Sequence, residues 1–121
     1  MPRFFHCYGL RPFFLTAAIC CSPLGQAADP AKAYRAEIRP LLDEFCFDCH
    51  SGEDAEAEID LDSFKSLVDI RRNTKIWIKV EEMLSSRQMP PKKADKPSDA
   101  QREQLRRWVH TFLIGEARAR A

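Results

Sequence analysis

Residues 43–52, DEFCFDCHSG, place two cysteines two residues apart, with a histidine directly after the second. Two thiols at this spacing can close a disulfide, bind zinc, act as a redox dithiol, or add to the two vinyl groups of a haem. In the haem case, the histidine supplies a nitrogen ligand to the iron. The residues concerned are Cys46, Cys49 and His50.

The rest of the chain favours haem attachment over the other three uses. A tetrahedral zinc site needs four ligands, and beyond the first 27 residues the one further histidine is His110, which we expect on the surface of the last helix. A thioredoxin-like dithiol accompanies a βαβ pattern, and the sequence has no strand pattern. A disulfide would leave His50 without a role. We therefore predict one covalently bound haem c, held through Cys46 and Cys49, with His50 as an iron ligand.

The second iron ligand would decide what the haem does. A methionine in that position closes the iron to other ligands, raises its potential and favours electron transfer. Met83 lies on the apolar stripe of a predicted helix, so we interpret it as a core residue. Met89 lies in a loop directly before Pro90 and Pro91, which fix two successive φ angles and stiffen the loop. We predict that Met89 is the second iron ligand.

The first 27 residues have the order of a secretory signal peptide. Arg3 and Arg11 form a basic head without acidic residues, an apolar run follows at 12–24, and small residues lead to Ala27. The apolar run is shorter than the roughly 20 residues that span a bilayer. We predict cleavage after Ala27, a periplasmic location, and no membrane span after cleavage.

Removal of the signal peptide would leave a nearly neutral chain. The full sequence has 19 Lys and Arg against 18 Asp and Glu, so loss of two arginines gives 17 against 18, a net charge of −1. Nucleic-acid-binding domains are usually strongly basic, so we do not expect a nucleic-acid partner.

Three main helices are predicted to position the site. The first precedes the cysteines and contains Pro40, where we expect a kink or a helix start. The second is expected over residues 74–87. The third begins at Ser98, forms a capping box with Gln101, and has a continuous apolar face up to Gly115. The apolar face of the first helix consists of Tyr34, Ile38, Leu41, Leu42 and Phe45. That of the second consists of Ile76, Trp77, Val80, Met83 and Leu84, and that of the third of Leu105, Trp108, Val109, Phe112 and Leu113. Residues 53–63 and 88–97 are predicted to be irregular.

An ordered set of motifs resembles the planctomycete-type cytochrome c domain, a class I-like small c-type cytochrome. The motifs are CFDCHSG, LDSF, a tryptophan-bearing helix running into RQMPP, and KPSDAQREQLRRWV. The resemblance covers about residues 30–115 and implies thioether attachment at Cys46 and Cys49, with iron ligation by His50 and Met89. Members of the family often have glycines just before an L-x-L-D-like segment, where this chain has EAEID. The domain also commonly occurs inside larger multidomain proteins.

The resemblance also implies an all-α, cytochrome c-like fold with three main helices around one haem. Its first and last helices cross, which would bring Leu42 and Phe45 towards Trp108 and Phe112. We divide the chain into a signal peptide (1–27), an N-terminal segment (28–33), a haem domain (34–115) and a C-terminal tail (116–121).

These features predict a one-electron carrier without catalytic residues, and not an enzyme. The alternatives are an electron-transfer module of a larger periplasmic enzyme complex, or a haem-based sensor or peroxidase in which Met89 is labile. Residues 43–62 hold nine acidic residues and no Lys or Arg, whereas cations precede and follow residues 88–91, which carry Met89 and which we call the methionine loop. We expect this basic collar to attract an acidic redox partner. The basic collar consists of Arg71, Arg72, Lys75, Lys79, Arg87, Lys92, Lys93 and Lys96.

Overall fold

The computed structural model describes residues 28–121, so the predicted signal peptide lies outside the described residues. Within this range the chain forms helices and loops and has no strand, which confirms the all-α prediction. No helix in the range is long and apolar enough to cross a bilayer. The elements are α1 (Pro30–Ala33), a π-helical segment (Tyr34–Ile38), α2 (Arg39–Phe45), a 3₁₀ turn (Glu56–Glu58), α3 (Leu67–Arg72), α4 (Thr74–Ser85) and α5 (Asp99–Arg120).

The first three elements form one helical run before the cysteines. Its start is capped by Asp29, whose side chain accepts a hydrogen bond from the Ala31 N–H at 3.0 Å. Pro40 has no N–H to donate to the preceding turn. That turn widens into the π-helical segment, in which the Arg39 N–H donates to the Tyr34 carbonyl. The predicted irregularity near Pro40 is confirmed, but the helical run begins at Pro30 and not at Tyr34.

The short helix α3 was not predicted. Ser66 caps it, because the Ser66 side chain accepts from the Asp69 N–H at 3.4 Å and Asp69 accepts from the Ser66 N–H at 2.8 Å. The Ser66 hydroxyl also donates to the Asp69 carboxylate at 2.8 Å, and this hydrogen bond holds the pKa of that carboxyl below its ordinary value. A serine followed three residues later by an acidic residue is the signal that could have identified this helix.

Helix α5 begins as predicted and extends beyond Gly115. The Gln101 N–H donates to the Ser98 hydroxyl at 3.2 Å and the Ser98 N–H donates to the Gln101 side chain at 2.9 Å, which confirms the capping box. The helix continues past Gly115, where the predicted apolar face stops, to Arg120. An ion pair of 2.7 Å between Arg71 and Glu116 ties this last part of α5 to the end of α3.

The core is centred on the fully buried Trp77 of α4. The ring centroids of Tyr34 and Trp108 each lie 6.2 Å from that of Trp77, and Tyr34 stacks on Trp108 at 5.2 Å. The predicted packing of the first helix against the last is therefore confirmed, with Tyr34 as the contact. Leu42 and Phe112 belong to the core cluster, whereas Phe45 is only half-buried.

Helix α4 ends in a Schellman motif that leads directly to Met89. The Gln88 N–H donates to the Met83 carbonyl at 3.1 Å and the Arg87 N–H to the Leu84 carbonyl at 3.3 Å. Arg87 occupies the position at which glycine is usual, with a φ of 57°. The left-handed conformation disfavours any residue with a Cβ atom, so Arg87 is strained.

Replacing Arg87 with glycine is expected to stabilise the protein. Relative to Arg87→Ala, the glycine variant should gain about 1 kcal/mol in the free energy of unfolding, since the alanine keeps the left-handed strain. Both variants lose the ion pair between Arg87 and Asp99, whose side chains are 65% and 81% exposed, so its small contribution cancels in the comparison. Denaturant unfolding of the two variants measures the difference. Equal stability would show that Arg87 is not strained.

Candidate haem site

Cys46, Cys49 and His50 lie on one turn directly after α2. The His50 N–H donates to the Cys46 carbonyl at 2.9 Å and the Cys49 N–H donates to the same oxygen at 3.2 Å. The chain is therefore wound helically, and residues three and four apart are neighbours on a helical surface. The structure brings these three predicted site residues together.

The two thiols of this cysteine turn have different surroundings. Both are free, Cys49 being exposed and Cys46 half-buried against the edge of the core. Burial raises the pKa of the Cys46 thiol to about 11, against an opposing effect of the nearby Arg102 charge. Cys49 is thus open to solvent, while Cys46 faces the interior of the protein as a neutral thiol.

The imidazole of His50 is oriented by a backbone carbonyl. Its Nδ1 atom lies 3.2 Å from the carbonyl oxygen of Ile59. Because a carbonyl can only accept, the neutral ring carries its proton on Nδ1 and keeps the lone pair on Nε2. A carbonyl partner of this kind fixes the tautomer and the orientation of metal-binding histidines. No sequence signal points to Ile59, since every residue carries a carbonyl.

The acidic loop, residues 53–62, is fastened to the cysteine turn. The Glu56 N–H donates to the Cys49 carbonyl at 2.8 Å, and the Leu61 N–H donates to the His50 carbonyl at 2.8 Å. The loop therefore follows a defined path beside the cysteines and delivers the Ile59 carbonyl to the histidine.

Two residues of the acidic loop have a left-handed backbone conformation. Ala57 has a φ of 56° and Glu58 a φ of 57°. They belong to the EAEID segment, where members of the family that the sequence resembles often have glycines. At these two positions the chain adopts a backbone conformation that glycine adopts most easily.

Met89 lies on a separate loop after the Schellman motif of α4. Met89 is 38% exposed, and the following Pro90 is buried, with a cis peptide bond between the two. The Met89 carbonyl accepts a hydrogen bond from Arg102 Nη1 at 2.7 Å. Met83, interpreted from the sequence as a core residue, is half-buried on α4. The second predicted iron ligand, Met89, therefore lies on a loop whose backbone is fixed by Arg102.

Zinc does not suit the described residues as well as haem. Within residues 28–121 no three His, Cys, Asp or Glu side chains converge as a metal site. His110 is exposed on α5, with Nδ1 2.7 Å from a carboxylate oxygen of Glu81. A c-type haem does not need four side chains that converge on one point. It needs two thiols on one turn, one imidazole with Nε2 available, and one thioether from another segment. The residues present fit that group.

A surface groove lies elsewhere on the described part of the molecule. It has a volume of about 690 Å³ and runs between the N-terminal helical run and α5, with Trp108 and Phe112 in its wall. The predicted site residues do not line it.

Comparison with known proteins finds a similarity to one family over part of the chain. Residues 46–93 match the family model described as Planctomycete cytochrome C, and this span includes the cysteine turn and the methionine loop. No curated protein and no solved structure matches the chain. This match over residues 46–93, together with the all-α structure, supports a planctomycete-type cytochrome c domain, a family that implies covalently bound haem c.

Proposed function

We propose that this protein is an exported mono-haem c-type cytochrome that carries one electron at a time between partner proteins. Cys46 and Cys49 form the thioether bonds, and His50 and Met89 are the axial ligands. The observation that carries the proposal is the cysteine turn, where two thiols stand beside an imidazole whose Nδ1 is held by the Ile59 carbonyl. One Cys-x-x-Cys-His sequence in the chain supports one haem per molecule.

The residues of the chain have separate tasks in this proposal. When bound, the haem supplies an iron that alternates between the ferric and ferrous states. The Ile59 carbonyl keeps the His50 ring in one orientation, which limits the rearrangement that accompanies a change of charge. The buried Pro90 and the end of α4 restrict the backbone of Met89, so little conformational entropy is lost when its thioether binds.

The proposal is tested by spectroscopy on protein made with its leader in a host that attaches haem to exported chains. We expect a reduced-minus-oxidised spectrum with the sharp bands of a low-spin c-type haem, one iron per chain, and a mature N-terminus at Ala28. Purified protein that has been offered haem in this way and still contains zinc, or a disulfide, in place of haem would overturn the proposal.

We further propose that an acidic redox partner docks on the face that presents the methionine loop. Four members of the basic collar belong to this part of the chain and are exposed, namely Arg87, Lys92, Lys93 and Lys96. Arg71 does not contribute there, because it pairs with Glu116 near the far end of α5, whereas the methionine loop contacts Arg102 near its start. We call the four residues the loop cations.

Charge reversal in the loop cations is expected to slow electron transfer to an anionic oxidant. With ferricyanide as the probe, Lys92→Glu combined with Lys93→Glu should lower the bimolecular rate about threefold or more at low salt, and the difference should shrink as salt screens the charges. Lys32→Glu combined with Arg35→Glu is the matched control, because it also reverses two exposed positive charges, in the N-terminal helical run. A rate that responds equally to both sites would contradict the proposed docking face.

A further inference from the structure

Arg102 is a charged residue in the interior of the described fold. It lies in the first turns of α5 and is only 8% exposed. Its Nη1 atom donates to the Met89 carbonyl at 2.7 Å and lies 3.4 Å from the Leu84 carbonyl. One guanidinium group thus reaches both the last turn of α4 and the methionine loop.

The charge of Arg102 is not neutralised by a carboxylate. No Asp or Glu of residues 28–121 forms an ion pair with it, and the adjacent Glu103 pairs with Arg106 at 2.8 Å. Its Nε atom is buried and has no hydrogen-bond partner within this range. Carbonyl oxygens and the negative end of the α4 dipole are what stabilise the cation. A buried cation without a counter-ion destabilises the fold. An apolar residue of similar size would give a more stable protein.

Arg102 interacts with both parts of the candidate site, the methionine loop and the cysteine turn. On one side it holds the backbone of Met89. On the other it is close enough to Cys46 for its charge to oppose the effect of burial on the pKa of that thiol. Arg102 thus contacts the methionine loop directly and acts on the cysteine turn through its charge.

We propose that Arg102 is a positioning residue that fastens the Met89 loop against α5 and places a fixed positive charge behind the haem site. The inference rests on the proposed ligation by Met89. A tethered carbonyl keeps the thioether close to the iron and makes displacement by an outside ligand harder. A fixed positive charge stabilises the ferrous state, which carries one positive charge fewer than the ferric state, so Arg102 raises the reduction potential.

The test uses haem-loaded Arg102→Met and Arg102→Lys, with Arg107→Met as the matched control. Arg107 is 73% exposed on the same helix, so its variant removes the same charge from the surface. We expect Arg102→Met to lower the midpoint potential and to bind imidazole to the ferric iron about tenfold more tightly, the factor that one charge-assisted hydrogen bond is worth. Arg102→Lys should keep most of the potential, because it keeps the charge, and should bind imidazole with intermediate affinity.

The outcomes separate this inference from the proposed function. A sulfur-to-iron absorption band in the unaltered ferric protein supports Met89 ligation, and its absence overturns both proposals. If the band is present and both Arg102 variants match Arg107→Met in potential and imidazole affinity, only the inference about Arg102 falls. A change limited to thermal stability would likewise overturn it. If Arg102→Met does not fold, the imidazole affinity of Arg102→Lys decides the matter.

Discussion

Replacing Cys46 and Cys49 together with serine is expected to leave a haem that acidified acetone extracts almost completely, whereas the unaltered protein keeps its colour. Two thioether bonds survive denaturation in acid, and axial ligation by His50 does not, because the imidazole is protonated and leaves the iron. The measurement is the haem absorbance of the protein pellet and of the solvent after extraction.

The single variants Cys46→Ser and Cys49→Ser are the matched controls for this experiment. Each retains one thioether bond, so each pellet should stay coloured, and the reduced band should move to longer wavelength because one vinyl group remains conjugated with the ring. Extraction of haem from the unaltered protein would rule out covalent attachment. A coloured pellet from the double variant would show that other residues hold the group.

Local signals explain which parts of the fold could be predicted. The start of α5 is encoded by Ser98 and Gln101, three residues apart, and such a capping box works without tertiary context. The end of α5 could not be predicted from Gly115, because the chain beyond it is held by the contact between Arg71 and Glu116, which are 45 residues apart. Glycine weakens a helix by about 1 kcal/mol and does not end one that tertiary contacts support.

The candidate site shows the same division between local and distant signals. Cys46, Cys49 and His50 are neighbours in sequence, so any helical turn brings them together. The Ile59 carbonyl and the Arg102 guanidinium depend on how loops fold over the cysteine turn and the end of α4. In the sequence, Arg102 is one of several charged residues at the start of an amphipathic helix, a position that normally faces solvent. The roles of the four site residues in haem binding stay predictions.

Replacing Met89 with alanine is expected to have the largest effect on the redox behaviour. The thioether is a weak, soft ligand that favours ferrous iron and raises the potential, so its loss should lower the midpoint potential by an amount on the order of a tenth of a volt. The ferric protein should lose the sulfur-to-iron absorption band, and the ferrous protein should bind carbon monoxide. Potentiometry and absorption spectra of haem-loaded protein measure these changes.

Met83→Ala provides the matched control, since it removes the same side chain six residues earlier, from the half-buried face of α4. It should leave the band, the potential and the resistance to carbon monoxide unchanged, while lowering the free energy of unfolding by about 1–3 kcal/mol for a partly buried methionine. If Met83→Ala removes the band and Met89→Ala keeps it, the ligand comes from the helix and not from the loop. If neither variant changes the band, the second ligand is not a methionine of the described chain. Rapid binding of carbon monoxide by the unaltered ferrous protein would instead favour the sensor or peroxidase alternative, in which the exposed Met89 side chain leaves the iron readily.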